Sequence, residues 1–164
     1  MTRRVLLQLP SAADTEALGA WLGARLRPGE LLALIGELGA GKTALARGVA
    51  RGLQVEDPGA VASPTYLLVV EHEGPVPMIH VDAYLAEKTR AFLADGGLAW
   101  LDERRGVAVV EWADRIAEFL PARTLTVRLG PRADGGEGRS AELCAEQGFD
   151  WLDGLVAAAG KGWS

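Results

Sequence analysis

The 164-residue chain has a single cysteine, Cys144, and only two histidines, His72 and His80. One thiol can form no intramolecular disulfide and supplies no thiolate cluster for zinc, and two imidazoles exclude a histidine-rich metal centre. No apolar run approaches the ~18 residues of a membrane span. The start, Met-Thr-Arg-Arg before Val5-Leu6-Leu7, has a trace of a secretory leader, but Gln8 and Pro10 interrupt the apolar run, so a cytoplasmic protein is expected. Basic residues are outnumbered, 17 Lys and Arg against 22 Asp and Glu, and the net charge is −5. A general electrostatic grip on DNA or RNA needs a clustered basic surface, so such a grip is not expected, although RNA held mainly by a partner remains compatible.

What is present is ordinary for a globular protein: 49% apolar and 24% charged residues. The length suits one domain, 1–164, with a substantial core, and neither an internal repeat nor a linker divides it.

The most informative segment is Gly36-Glu37-Leu38-Gly39-Ala40-Gly41-Lys42-Thr43, a complete G-x-x-x-x-G-K-[ST] match. Leu31–Ile35 before it reads as a buried strand, and residues 44–53 after it carry apolar side chains at helical spacing. Strand, glycine-rich turn and helix present successive N–H groups and a helix N-terminus to phosphate oxygens. Lys42 can reach β- and γ-phosphates and the Thr43 hydroxyl can hold Mg²⁺. A nucleotide-binding protein is expected.

Around this unit, Ser11 to Asp14 form a capping-box-like start to a helix that places Leu18, Trp21, Leu22 and Leu26 on one face. Ser63-Pro64-Thr65 leads into a strand at 66–70, and Met78–Asp82 returns as the second arm of a hairpin. Residues 85 to about 104 read as mostly helical with a break at Gly96-Gly97. Val107–Val110 is a buried parallel strand, and a short helix over 114–120 follows it. Strands over 125–129 and 139–147 flank a glycine-rich loop, then comes a terminal helix over 151–159 and a loose tail of about four residues. The order predicts a three-layer α/β fold of the P-loop NTPase kind, its sheet mixing a parallel core with an antiparallel hairpin.

Phosphoryl chemistry also needs an acid near the metal and the attacking oxygen. Asp82 and Glu111 both fall at the C-terminal tips of predicted strands, where ligands of α/β sheets collect. Four apolar residues and then Glu111 make a Walker-B pattern. Asp82 reads either as a second catalytic acid or as a cap for the segment after it. Its neighbour His80 reads as a half-buried strand histidine, with no cue that it is paired. Thr65 belongs either to a switch loop that senses the γ-phosphate or to a proline-stiffened turn. Trp112 reads as core or as a neighbour of the nucleotide, and of the five tryptophans most are expected in the core. Arg132 and Arg139 flank the glycine-rich loop and either serve as plain surface arginines or reach phosphate or adenine.

Four islands in this order resemble the TsaE (YjeE) family of bacterial P-loop ATPases. They are the P-loop, Ser63-Pro64-Thr65-Tyr66-Leu67-Leu68-Val69, His80-Val81-Asp82-Ala83-Tyr84 and Val110-Glu111-Trp112-Ala113, and the resemblance spans roughly residues 5 to 130. Two positions depart from the family: Glu37 stands where Asp is usual, and Leu85 where Arg is usual. The resemblance implies a part in making the threonylcarbamoyl modification of adenosine in tRNA. It implies binding of ATP and Mg²⁺ and docking on the TsaB–TsaD heterodimer, with slow hydrolysis that supports turnover of that complex and tRNA met through the complex. By position, residues 36 to 43 and Lys42 above all would hold the phosphates, and Thr43 and Glu111 the metal. Asp82 would assist metal or water, and Thr65 would lie in a switch loop.

Rival readings are a small nucleotide or metabolite kinase, with Arg90, Arg104 and Arg105 on a lid over residues 85–105, and a module that holds ATP without hydrolysing it. A regulatory GTPase is disfavoured, because asparagine is absent and the usual N-K-x-D guanine loop cannot form.

Overall fold

The computed structural model describes residues 1–64, 68–97, 99, 103 and 105–163. Its strands are β1 (Arg3–Leu9), β2 (Leu31–Ile35), β3 (Val69–His72), β4 (Met78–Asp82), β5 (Val107–Glu111), β6 (Thr124–Gly130) and β7 (Arg139–Ala145). Its α-helices are α1 (Ala12–Gly23), α2 (Lys42–Gly52), α3 (Ala86–Ala94) and α4 (Leu155–Gly160). Among the described residues the strands form one sheet in the order β1-β7-β6-β2-β5-β4-β3.

The apolar runs dictate the centre of this sheet. Every residue of β4 and β5 is buried, as are Leu31 to Leu34 of β2, the signature of strands covered on both faces. β2 runs parallel to β5 and β6, and β4 parallel to β5. β3 closes one side and β7 and β1 the other, all antiparallel to their neighbours. One core cluster joins the sheet to α1, α2 and α4. A second joins Leu31, Ala33, Ile79, Val81, Ala108 and Val110 to Ala113, Ile116 and, from α3, Leu93 on the opposite face. The expected three layers and mixed sheet are therefore present.

Helix α1 begins at the expected capping box: Asp14 N–H donates to Ser11 Oγ, and Ser11 N–H to Asp14 Oδ2. It packs on α2 with almost no side chain between the two backbones. A Cβ built on Gly48 would lie 2.1 Å from Glu16 O, and one on Gly19 2.3 Å from Leu45 O. Glu16 then pairs with both Arg47 and Arg51 of α2. The helix that follows the P-loop is clamped along its length by the helix that precedes it.

Four expectations about elements need correction. β1 is not among the expected elements, although the segment carries a short apolar run. Its burial nonetheless alternates towards Leu7 and Leu9, the period of a strand with one face on the core. The strand expected at 66–70 is β3 at Val69–His72, and Tyr66 and Leu67 lie outside the described residues. The terminal helix is a 3-10 segment, Asp150–Gly154, followed by α4. The tail is not loose at Trp163, which is half-buried against the core and donates its N–H to Ala158 O at 2.8 Å. No described helix is long and apolar enough to cross a membrane.

Candidate nucleotide site

The parallel strands bring their C-terminal tips together. Register pairs Asp82 with Glu111 and Leu34 with Glu111, so both acids stand beside the turn that leaves β2. Gly41 is the N-cap of α2 with φ +103°, a conformation open to glycine and strained for L side chains. A Cβ on Gly36 would meet Leu129 O at 2.7 Å, so the loop starts pressed against β6. The first turn of α2, with N–H groups that lack intrahelical acceptors, then faces a cleft of about 450 Å³. Gly39, Gly41, Lys42, Thr43, Ser63, Tyr84, Glu111 and Trp112 line it.

Lys42 is 5% exposed, and its Nζ donates to Gly36 O at 2.6 Å and Glu37 O at 2.8 Å. Burial lowers its pKa below the ordinary lysine value, and the nearby carboxylates of Glu111, Asp82, Glu37 and Asp114 oppose the shift. The same ammonium lies 4.1 Å from the centre of the Trp112 ring. Trp112 itself adopts φ +58°, strained for a bulky residue, and Tyr84 meets it edge-on at 5.1 Å. Arg115 lies over both rings and donates to Tyr84 O at 2.9 Å. Trp112 is thus a neighbour of the P-loop lysine. Of the described tryptophans Trp21 is buried, whereas Trp112, Trp151 and Trp163 are half-buried and pack against the core from its edge, and Trp100 lies outside the described residues.

Glu111 is the hub. Its Oε1 accepts from Thr43 Oγ1 at 3.0 Å, and its Oε2 lies 2.6 Å from His80 Nε2. His80 is fully buried, not half-buried, and it is paired. Only the face was legible in the spacing, since His80 and Asp82 are two apart on one strand, whereas the partner Glu111 stands on another strand. Asp82 caps the segment after it, since Oδ1 accepts from Tyr84 N–H, and Oδ2 accepts from Ser63 Oγ, each at 2.8 Å. Ser63 of the Ser-Pro-Thr island therefore reaches the site, and Thr65 lies outside the described residues.

On the other side of the P-loop two hollows of about 390 and 240 Å³ share Gly39, Ala40 and Arg139. Arg139 donates to Gly39 O at 2.9 Å and Ala40 O at 3.2 Å, so β7 braces the loop by its carbonyls. Nothing in the sequence disclosed that contact. Leu38 is 90% exposed at the loop tip and Glu37 is also exposed. Arg132 stays within its own loop, on Asp134 and Glu137 O. Of the arginines assigned to a kinase lid, Arg90 pairs with Glu118 and Arg105 with Glu103, whereas Arg104 lies outside the described residues.

A strand–glycine turn–helix unit in a parallel sheet, with acids at the tips of β4 and β5, defines a P-loop-type α/β protein. The family model of the threonylcarbamoyl adenosine biosynthesis protein TsaE matches residues 9–140. The chain belongs to the TsaE family. A Mycobacterium leprae tRNA threonylcarbamoyladenosine biosynthesis protein TsaE is 44% identical over 124 residues, covering 71% of this chain and 76% of its own length. The Treponema pallidum protein of the same name is 36% identical over 125 residues, covering 76% and 90%. Among solved structures, that of Bacillus subtilis YdiB superposes with a TM-score of 0.72 at 26% identity, over 97% of both chains.

Proposed function

We propose that the protein binds ATP with Mg²⁺, hydrolyses ATP slowly by itself, and docks on the TsaB–TsaD heterodimer. Hydrolysis would sustain turnover of that complex in tRNA threonylcarbamoyladenosine synthesis, with tRNA met through the complex. The observation that carries this reading is the placement of Lys42, Thr43 and Glu111 around one cleft at the N-terminus of α2.

The donor set fits Mg²⁺, a hard cation that takes a hydroxyl and one or two carboxylates and completes its shell with phosphate and water. Thr43 and Glu111 would hold the ion, which when bound neutralises charge on the β- and γ-phosphates. Lys42 exchanges the carbonyls of Gly36 and Glu37 for phosphate oxygens. Asp82, held by Ser63 and Tyr84 N–H, stands beside Glu111 to orient water. The nucleoside leaves the loop on the Arg139 side, where the two hollows lie. The exposed apolar rim of Leu38, Tyr84 and Leu85 suits a macromolecular partner over the cleft mouth.

The deciding experiment is steady-state hydrolysis of ATP and GTP with and without TsaB–TsaD. ATP hydrolysis stimulated by the heterodimer is the expected result. Equal, unstimulated rates for both nucleotides would sink the proposal.

Two substitutions test the site by calorimetric titration of ATP. Lys42→Ala removes a charge-assisted contact and is expected to weaken binding roughly 10- to 100-fold. Arg139→Ala unbraces the loop and is expected to weaken binding about three- to tenfold. Its melting temperature should fall by only a few °C, since Arg139 is half-buried and belongs to neither apolar cluster. Unchanged ATP affinity in Arg139→Ala would show that the brace is dispensable.

A further inference from the structure

His80 occupies the middle of β4, between Met78, Ile79 and Val81, all buried and apolar. Its Nδ1 is buried and has no hydrogen-bond partner among the described residues. The whole polar return for burying this ring is therefore the 2.6 Å contact of Nε2 with Glu111 Oε2. An ionised carboxylate oxygen only accepts, so the proton of that contact sits on Nε2. The opposite oxygen, Oε1, receives the Thr43 hydroxyl at 3.0 Å. Glu111 is 2% exposed and is gripped from two directions, by β4 behind it and by α2 in front.

We infer that His80 is a positioning residue for Glu111. Its Nε2–H anchors Oε2, stops rotation of the carboxylate, and leaves Oε1 as the oxygen offered on the Thr43 side of the cleft. Hydrogen bonds of this kind, from a group behind a ligand, set ligand orientation in metal sites and are worth 10- to 100-fold in metal affinity. The inference rests on the reading of Thr43 and Glu111 as the residues that hold Mg²⁺.

The test compares two substitutions with the parent by calorimetric titration of ATP, once in EDTA and once in excess Mg²⁺. His80→Gln keeps an N–H donor, whereas His80→Leu keeps similar bulk and removes it. In EDTA all three proteins should bind ATP within about twofold of one another, because nothing that contacts phosphate has changed. The gain in affinity on adding Mg²⁺ should survive in His80→Gln and fall about tenfold in His80→Leu. A His80→Leu protein with the full gain overturns the inference, as does a His80→Gln protein that loses the gain as completely as His80→Leu. A parent with no Mg²⁺-dependent gain instead refutes the proposed metal site. The contact itself is then read from the ring-nitrogen chemical shifts of His80 in metal-free protein. An Nε2-protonated tautomer is expected, and an Nδ1-protonated one overturns the anchor whatever the metal does.

Discussion

Glu111→Gln should stop ATP hydrolysis while leaving ATP binding in EDTA intact. The substitution keeps the shape of the side chain and one oxygen for the Thr43 hydroxyl, now 3.0 Å from Oε1. It removes the negative charge that would hold Mg²⁺ against the phosphates. Metal-borne charge stabilisation is worth several kcal/mol, so kcat should fall on the order of 10²- to 10³-fold. A smaller structural cost accompanies it. If the amide N–H₂ replaces Oε2, two donors face each other where His80 Nε2 now lies 2.6 Å away. The ring then moves its proton to Nδ1, a buried atom that has no partner among the described residues. Single-turnover hydrolysis measured beside equilibrium ATP binding separates the two effects. Hydrolysis at the parental rate would transfer the role to Asp82.

Gly48→Val should be the most damaging single change outside the cleft. Any Cβ at this position meets a backbone carbonyl at 2.1 Å and the Gly19 Cα at 3.0 Å, and neither can yield as a flexible side chain would. The helices must separate, so stability should drop by about 3 kcal/mol or more and the melting temperature by roughly 10 °C. Nucleotide affinity should fall too, because α2 carries Lys42 and Thr43 at its first turn. Gly160→Ala, in α4 with open space around it, is the control and should be nearly silent by thermal denaturation.

The sequence disclosed the site more fully than the frame that supports it. The P-loop, its strand and its helix announce themselves through five fixed positions and apolar flanks. Asp82 and Glu111 follow from apolar runs that end in an acid. The contacts that hold these groups are long-range and leave no local trace. Arg139 meets Ala40 from 99 residues away, and His80 meets Glu111 from 31. The glycines at 19, 23, 48 and 52 matter only because two helices happen to cross there, which no single-helix pattern reveals. β1 was missed because the strand it pairs with, β7, lies 130 or more positions later, so no local pattern shows the partner.

The Arg139 brace also bears on how the chain comes into being. The P-loop is complete once residue 43 has been made, yet β2 gains its sheet neighbours only with residues 107–111 and 124–130, and the brace only at 139. A growing chain thus holds an apolar strand, Leu31–Ile35, unpaired until residues 107–111 have been made, the kind of segment that invites chaperones and aggregation. On the proposed function, nucleotide meets the braced loop only when nearly the whole polypeptide has emerged. Premature termination between residue 43 and the last strand leaves a fragment that carries the whole motif without the Arg139 brace.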